Sequence, residues 1–379
     1  MNYISKYKVE VSIIIPLILF GIISVLTIYS ANNILPSNLE DIYIKQIIWY
    51  ILGFGVAYFI MYIGIEVLIK YAWYLYGIGV ISLVLLLFFG TPINDAKCWF
   101  TFGNMATIQP SEFVKIFLII IIAKFLNEFN EKYKKPDLKD EFRLLSKVMI
   151  IVLIPSILTF LQPDTGAVLI YFFIALVMLF ASGIRYRWFA ILISIILVFM
   201  VIFLGLYFIN SDLFIKIFGT NFFYRIDRIL DWQNQDGMQL GNALLAIGSA
   251  GWFGFGFNNT PIYFPEAHTD FIFSVYASNF GLFGSIILIS LLIFFNLKII
   301  NIGVRSKENI NKYVIAGIIG MLIYQQIQSI GMNIGLLPIT GITLPFISYG
   351  GSSLISYMII AGIILNLSNK DLRYWNVKK

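Results

Sequence analysis

The chain alternates long apolar runs with short polar punctuation. Ten of these runs approach the ~20 residues that a helix needs to cross a bilayer. They fall at 12–29, 43–64, 71–90, 111–126, 148–161, 167–182, 188–209, 270–295, 314–335 and 352–367. The fifth and sixth are short, and the Gln162-Pro163-Asp164-Thr165-Gly166 turn between them reads as a tight hairpin connection. The pattern predicts an all-α polytopic membrane protein with ten transmembrane helices. Two polar stretches remain, 91–110 and a much longer one at 210–269 between helices seven and eight. Loops of the second length are uncommon unless functional. Within it, 240–249 reads as an apolar half-helix that re-enters or lies on the membrane, followed by Gly251, Gly254 and Gly256. No internal repeat or soluble domain stands out. The whole chain, 1–379, therefore reads as one integral membrane domain with a large outer loop.

Positive charge sets the orientation, because Lys and Arg concentrate in cytoplasmic loops. With both termini placed in the cytoplasm, 26 Lys and Arg residues fall on the inner side except Lys45, Lys97, Lys115, Lys216, Arg225 and Arg228. The loop at 210–269 is then extracellular. Composition agrees: 59% of residues are hydrophobic, 12% are charged, and mean hydropathy is +0.87. A soluble domain carries about 25% charged residues. The net charge of +6 follows membrane topology, so no nucleic-acid partner is expected. One Cys (Cys98) and one His (His268) exclude an internal disulfide and cysteine- or histidine-rich metal sites. The first apolar run is followed by no obvious cleavage site and reads as a retained helix.

Four groups of residues could carry chemistry. Pro265-Glu266-Ala267-His268-Thr269-Asp270 puts three titratable groups within five residues, immediately before an apolar run. An ionisable residue at the mouth of a membrane helix is a functional candidate, although Asp270 or Thr269 could simply cap the helix. Next come Gln109, Pro110, Ser111, Glu112 and Lys115, where Pro sets a helix start just ahead of a Ser111 cap. Glu112 and Lys115, three apart, share one helix face. They are either a self-satisfied ion pair or a cation placed for an anionic substrate. Arg225 and Arg228 lie outside, against the charge rule. They pair with Asp227 and Asp231 or receive a phosphate. Last is 337–353, rich in Gly and Pro and holding Ser348, Gly350, Gly351 and Ser352. Irregular backbone at membrane depth is tolerated only inside protein or beside a wet cavity.

Together these segments resemble the SEDS family of shape, elongation, division and sporulation proteins (RodA, FtsW and their sporulation counterpart). The resemblance rests on Gln109-Pro110-Ser111-Glu112-Phe113-x-Lys115, Gln162-Pro163-Asp164-x-Gly166 and Arg225-x-x-Arg228. It continues through Ala246-Ile247-Gly248-Ser249, Gly254-x-Gly256 and Pro265-Glu266-x-His268-Thr269-Asp270-Phe271. It ends with Gly335-Leu336-Leu337-Pro338-x-Thr340-Gly341 and Leu344-Pro345-Phe346-x-Ser348-Tyr349-Gly350-Gly351-Ser352. The short tails point to the elongation, RodA-like layout. Membership implies a peptidoglycan glycosyltransferase in the bacterial cytoplasmic membrane that polymerises lipid II at the outer face. It also implies a class B penicillin-binding protein as partner and Asp270 at the family's essential acidic position. The chain departs from the pattern at Cys98, Phe255, Ser278-Asn279 and Ser329, departures that bear on substrate affinity and partner contacts.

The chemistry then expected is attack of a sugar hydroxyl on an anomeric carbon with loss of lipid pyrophosphate. Asp270 would accept the proton or hold a divalent cation, Mg or Mn, with no organic cofactor. Arg225, Arg228 and Lys115 would neutralise the pyrophosphate, with Glu112 orienting Lys115 and Gln109 and Ser111 beside them. Glu266, His268, Thr269, Ser348, Gly350, Gly351 and Ser352 would support the site. Two rival readings remain at this level: a lipid II flippase, or a catalytically weakened scaffold for a penicillin-binding protein. A flippase would spread charges through several spans. Here the spans are nearly charge-free.

Overall fold

The computed structural model describes residues 10–35, 41–93, 96–102, 106–220, 223 and 238–377. Helices dominate. The first four are α1 (Val11–Asn32), α2 (Ile42–Ile63), α3 (Ile65–Lys70) and α4 (Ala72–Phe89). After a small sheet come α5 (Pro110–Lys132), α6 (Leu138–Leu161), α7 (Thr165–Ala181), α8 (Tyr186–Ile209) and α9 (Ser211–Phe218). The remainder are α10 (Met238–Ser249), α11 (Ile272–Arg305), α12 (Asn309–Asn333) and α13 (Gly351–Val377). Among the described residues, eight helices are long and apolar enough to cross a membrane, and α7 is a shorter apolar helix. The chain is thus a multi-pass membrane protein.

The all-α expectation needs one correction. The polar stretch after α4 folds into an antiparallel sheet of β1 (Thr91–Ile93), β2 (Ala96–Phe102) and β3 (Ala106–Ile108), in the order β1-β2-β3. The Cys98-Trp99-Phe100-Thr101-Phe102 run is aromatic and β-branched, which suits a pleated strand. Boundaries also move. α6 begins at Leu138 rather than 148, because Asp137 and Asp140 form a capping box that starts the helix in polar sequence. α5 begins at Pro110, so Ser111 sits in its first turn and is not the cap.

Burial sorts the helices. α12 is enclosed, with 72% of its apolar stretch buried, whereas α8 has none of its stretch buried. An apolar helix exposed all round faces lipid or a partner.

The segment after α10 explains its glycines. α11 leaves helical geometry at Gly281 (φ 64°, ψ −160°). There Leu282 N and Phe283 N donate to Gly251 O and Trp252 O, while Phe255 N and Gly256 N donate to Ser278 O and Asn279 O. The broken helix thus has its free backbone groups satisfied inside the protein. A Cβ at Gly254 would lie 2.3 Å from Asn279 O, so only glycine permits this approach. Two of the family departures, Ser278 and Asn279, are fully buried at this junction, and Asn279 Nδ2 donates to Ser30 Oγ at 2.6 Å.

Candidate active site

Pro265 to Phe271 folds as a compact turn before α11. Glu266 takes a positive φ of 54°, and its carbonyl accepts from Thr269 N and Phe271 N. Thr269 Oγ1 donates to Glu266 Oε2 at 2.8 Å. Phe264, Ala267 and Phe271 anchor the turn, buried with Leu240, Ala243 and Ala246 of α10. Apolar anchoring of this kind leaves the intervening polar side chains for the other face.

Asp270 does not cap α11. The helix begins at Ile272 after Phe271, which makes no side-chain cap. Asn333, the last residue of α12, serves that end instead. Its Oδ1 accepts from Ser274 N (3.0 Å) and Ser274 Oγ (2.6 Å), and its Nδ2 donates to Asp270 O (2.8 Å). The Asp270 carboxylate is left to line a cavity of about 520 Å³.

The irregular segment before α13 clamps the turn from one side. Tyr349 N donates to His268 O (2.9 Å), and Ser348 Oγ donates to Thr269 O (2.7 Å) while accepting from Leu344 N (2.8 Å). The same segment is tied back to the first two helices. Ser24 Oγ donates to Ile347 O at 2.7 Å, Gln46 Nε2 donates to Ser348 O at 3.3 Å, and Tyr50 bonds Phe346 O. Gly341 passes close to Asp270: a Cβ built there would lie 3.6 Å from Asp270 Oδ2. Gly350, Gly351 and Ser352 reach the cavity wall, and Ser352 Oγ accepts from Gln109 N at 3.1 Å and donates to Thr107 O at 3.0 Å.

Asp164 forms the opposite wall. Its Oδ2 accepts from Gln109 Nε2 (3.1 Å) and Ser111 Oγ (3.0 Å), and its Oδ1 accepts from Ala167 N (3.1 Å), capping α7. The walls meet where a Cβ at Gly166 would lie 2.8 Å from Thr340 O. Glu112 also lines the cavity, but Lys115 does not. Lys115 is fully buried, 2.8 Å from Glu112 Oε2, which also accepts from Ser356 Oγ at 3.2 Å. The pair thus takes the self-satisfied form, with the carboxylate rather than the ammonium toward the cavity. Arg225 and Arg228 lie outside the described residues.

The electrostatics are one-sided. The described lining residues include the carboxylates of Glu112, Asp164, Glu266 and Asp270 and no Lys or Arg. Burial pushes the Asp270 carboxyl up to about 7, and the charges of Glu266 and Asp164 push the same way. Burial also raises Asp164, against the opposing hydrogen bonds from Ala167 and Ser111. His268 is lowered, again chiefly by burial. A carboxylate poised near neutrality suits proton acceptance.

Sequence reading thus located Asp270, Glu266, His268, Thr269, Gln109, Glu112, Gly350, Gly351 and Ser352, which the structure brings around one cavity, and Ser348, which braces Thr269 from behind. It missed Asp164, Asn333 and Gln325 as site residues. Asp164 carried the same signal as Asp270, a carboxylate opening an apolar run. Cys98, one of the departures, is buried on the wall and donates to Gln162 O at 2.9 Å. Burial pushes its thiol up to about 12, so it acts as a small packing residue.

The comparisons with known proteins speak to the family and the fold. The model of the FtsW, RodA and SpoVE family, described as "Cell cycle protein", matches residues 10–372. A relative from Coxiella burnetii, "Probable peptidoglycan glycosyltransferase FtsW", is 34% identical over 341 residues, covering 86% of each chain. The fold matches the rod shape determining protein RodA of Thermus thermophilus with a TM-score of 0.69 and 25% identity, over 98% of this chain and 99% of that one. It also matches a chain of a peptidoglycan synthase complex that coordinates polymerization and crosslinking, with a TM-score of 0.78 and 24% identity over 96% and 98%.

Proposed function

This chain belongs to the FtsW, RodA and SpoVE family of cell cycle proteins, and we propose that it works as a peptidoglycan glycosyltransferase with Asp270 as its base. The substrate is lipid II. Asp270 takes the proton from the acceptor hydroxyl as the new C–O bond forms at the anomeric carbon. The bond to the lipid pyrophosphate breaks with inversion. The observation that carries this reading is Asn333: by occupying the start of α11, it leaves the Asp270 carboxylate free of capping and turned to the cavity.

The departing pyrophosphate needs positive charge. Arg225 and Arg228 supply it from the outer loop, since Lys115 is committed to Glu112. No group of three His, Cys, Asp or Glu side chains able to hold a metal ion occurs among the described residues. A divalent cation would therefore take Asp270 together with substrate oxygens, as Mg does when it binds through one or two carboxylates. Bound there, it would add Lewis-acid stabilisation.

The chain crosses the membrane ten times in this reading, with α5 and α7 added to the eight helices that are long and apolar enough to span it. Both termini lie in the cytoplasm, and the cavity opens outward at the bacterial cytoplasmic membrane. The partner is a class B penicillin-binding protein; similarity to a chain of a polymerising and crosslinking complex supports it. The test is a glycan-strand gel on purified protein in liposomes with lipid II in the outer leaflet. Wild type consumes lipid II into strands, and Asp270→Ala abolishes the product while the protein stays folded. A flippase makes no strands, and wild-type rates from Asp270→Ala would end the assignment.

A further inference from the structure

The cavity contains polar groups that this mechanism leaves unused. Gln325 of α12 lines it and is 1% exposed. Its Nε2 donates to Tyr357 Oη at 2.9 Å, but its Oε1 has no hydrogen-bond partner. His268 is 9% exposed, lines the same cavity, and has an unpartnered Nδ1. Buried amide oxygens are nearly always paired, and an orphan carries a cost that an arriving donor removes. Gln325 lies eight residues before Asn333, about 12 Å along the helix from the group that positions Asp270. It therefore belongs to a second, deeper part of the cavity.

The rest of the lining tells what could arrive there. Ionised carboxylates only accept hydrogen bonds. Glu112 is already matched by Lys115, and Asp164, Glu266 and Asp270 bring no positive charge. With no Lys or Arg among the described lining residues, this wall offers a pyrophosphate no partner. It suits a group that donates hydrogen bonds and carries no negative charge. Sugars with hydroxyl and acetamido N–H groups have that chemistry. We propose that the deep part of the cavity is a subsite for a neutral N-acetylated sugar of the substrate, in which Gln325 Oε1 accepts a hydroxyl or acetamido N–H. The pyrophosphate stays outside it. The subsite rests on the glycosyltransferase reading and sets which end of the substrate enters.

The test is polymerisation kinetics on the full-length protein in lipid nanodiscs. Two competitors are used, the neutral disaccharide N,N′-diacetylchitobiose and inorganic pyrophosphate. Gln325→Met removes the acceptor and should raise KM for lipid II about three- to ten-fold, the worth of one neutral hydrogen bond. It should leave kcat nearly unchanged and weaken disaccharide inhibition in parallel, with pyrophosphate inhibition unaltered. Tyr357→Phe breaks the same Gln325–Tyr357 bond but keeps Oε1, so its KM should stay near wild type. Gln325→Asn, which withdraws the oxygen by one methylene, gives the same answer if Gln325→Met does not fold. A wild-type KM in the Gln325 variants overturns the subsite, as does an equal rise in Tyr357→Phe or a parallel loss of pyrophosphate inhibition. Wild-type protein that makes no strands would instead overturn the glycosyltransferase reading beneath it.

Discussion

Asp164 and Asp270 stand in nearly the same local sequence and end in different employment. Each follows a short polar turn, each precedes an apolar helix, and each lines the same cavity. Asp164 is held by three donors and caps α7. The Asp270 carboxylate accepts no hydrogen bond from a described residue, because Asn333 has taken over the helix start. A carboxylate held by three hydrogen bonds is a structural part, and one relieved of them is available for chemistry. The deciding residue lies 63 positions away from Asp270.

The contrast can be broken in four ways. The largest effect is expected from Asp270→Asn, which keeps shape and removes the base. Strand synthesis should fall about 10²–10⁴-fold, with an unchanged melting curve, whereas Asp164→Asn should retain most of the rate. The pH profile comes next. A base must be unprotonated, so activity should fall as pH drops through about 7, the value to which burial, Glu266 and Asp164 raise Asp270. Below it, initial rates should drop about tenfold per pH unit, and a rate flat between pH 5 and 8 would remove Asp270 as the titrating base. Asn333→Ala should cost about 2–3 kcal/mol in denaturant or thermal unfolding, since it strips the α11 cap and leaves the Ser274 hydroxyl and the Asp270 carbonyl without their partner. It should also lower turnover, because Asp270 becomes free to cap. The smallest effect is expected from Asp164→Ala: about 1–2 kcal/mol of stability from the lost α7 cap, read by the same unfolding assay, with little change in kcat.

Much of the frame was legible from sequence. The apolar runs gave a helical, multi-pass frame because bilayer length and backbone satisfaction leave few alternatives. The Pro265–Asp270 patch and the Ser348–Ser352 group could be picked out because polar or irregular sequence at membrane depth needs a reason. What stayed hidden was relational. Nothing local distinguishes Asp164 from Asp270. Gln325 reads as an ordinary polar residue in a helix until its unpaired oxygen is seen inside a cavity. The sheet after α4 was missed because its strands are only three to seven residues long. The α6 start was missed because a capping box lets a helix begin in charged sequence.

The ties from Ser24 and Gln46 to the segment before α13 span 323 and 302 residues. Ribosomes release the chain from its N-terminus, so α1 and α2 enter the membrane long before their partners at Ile347 and Ser348 exist. Those early helices wait with polar side chains whose final acceptors have not been synthesised. The turn that carries Asp270 is pinned only once that late segment arrives. A truncated product can therefore insert most of its helices and still be inert, so translation itself times the first moment at which the protein can work.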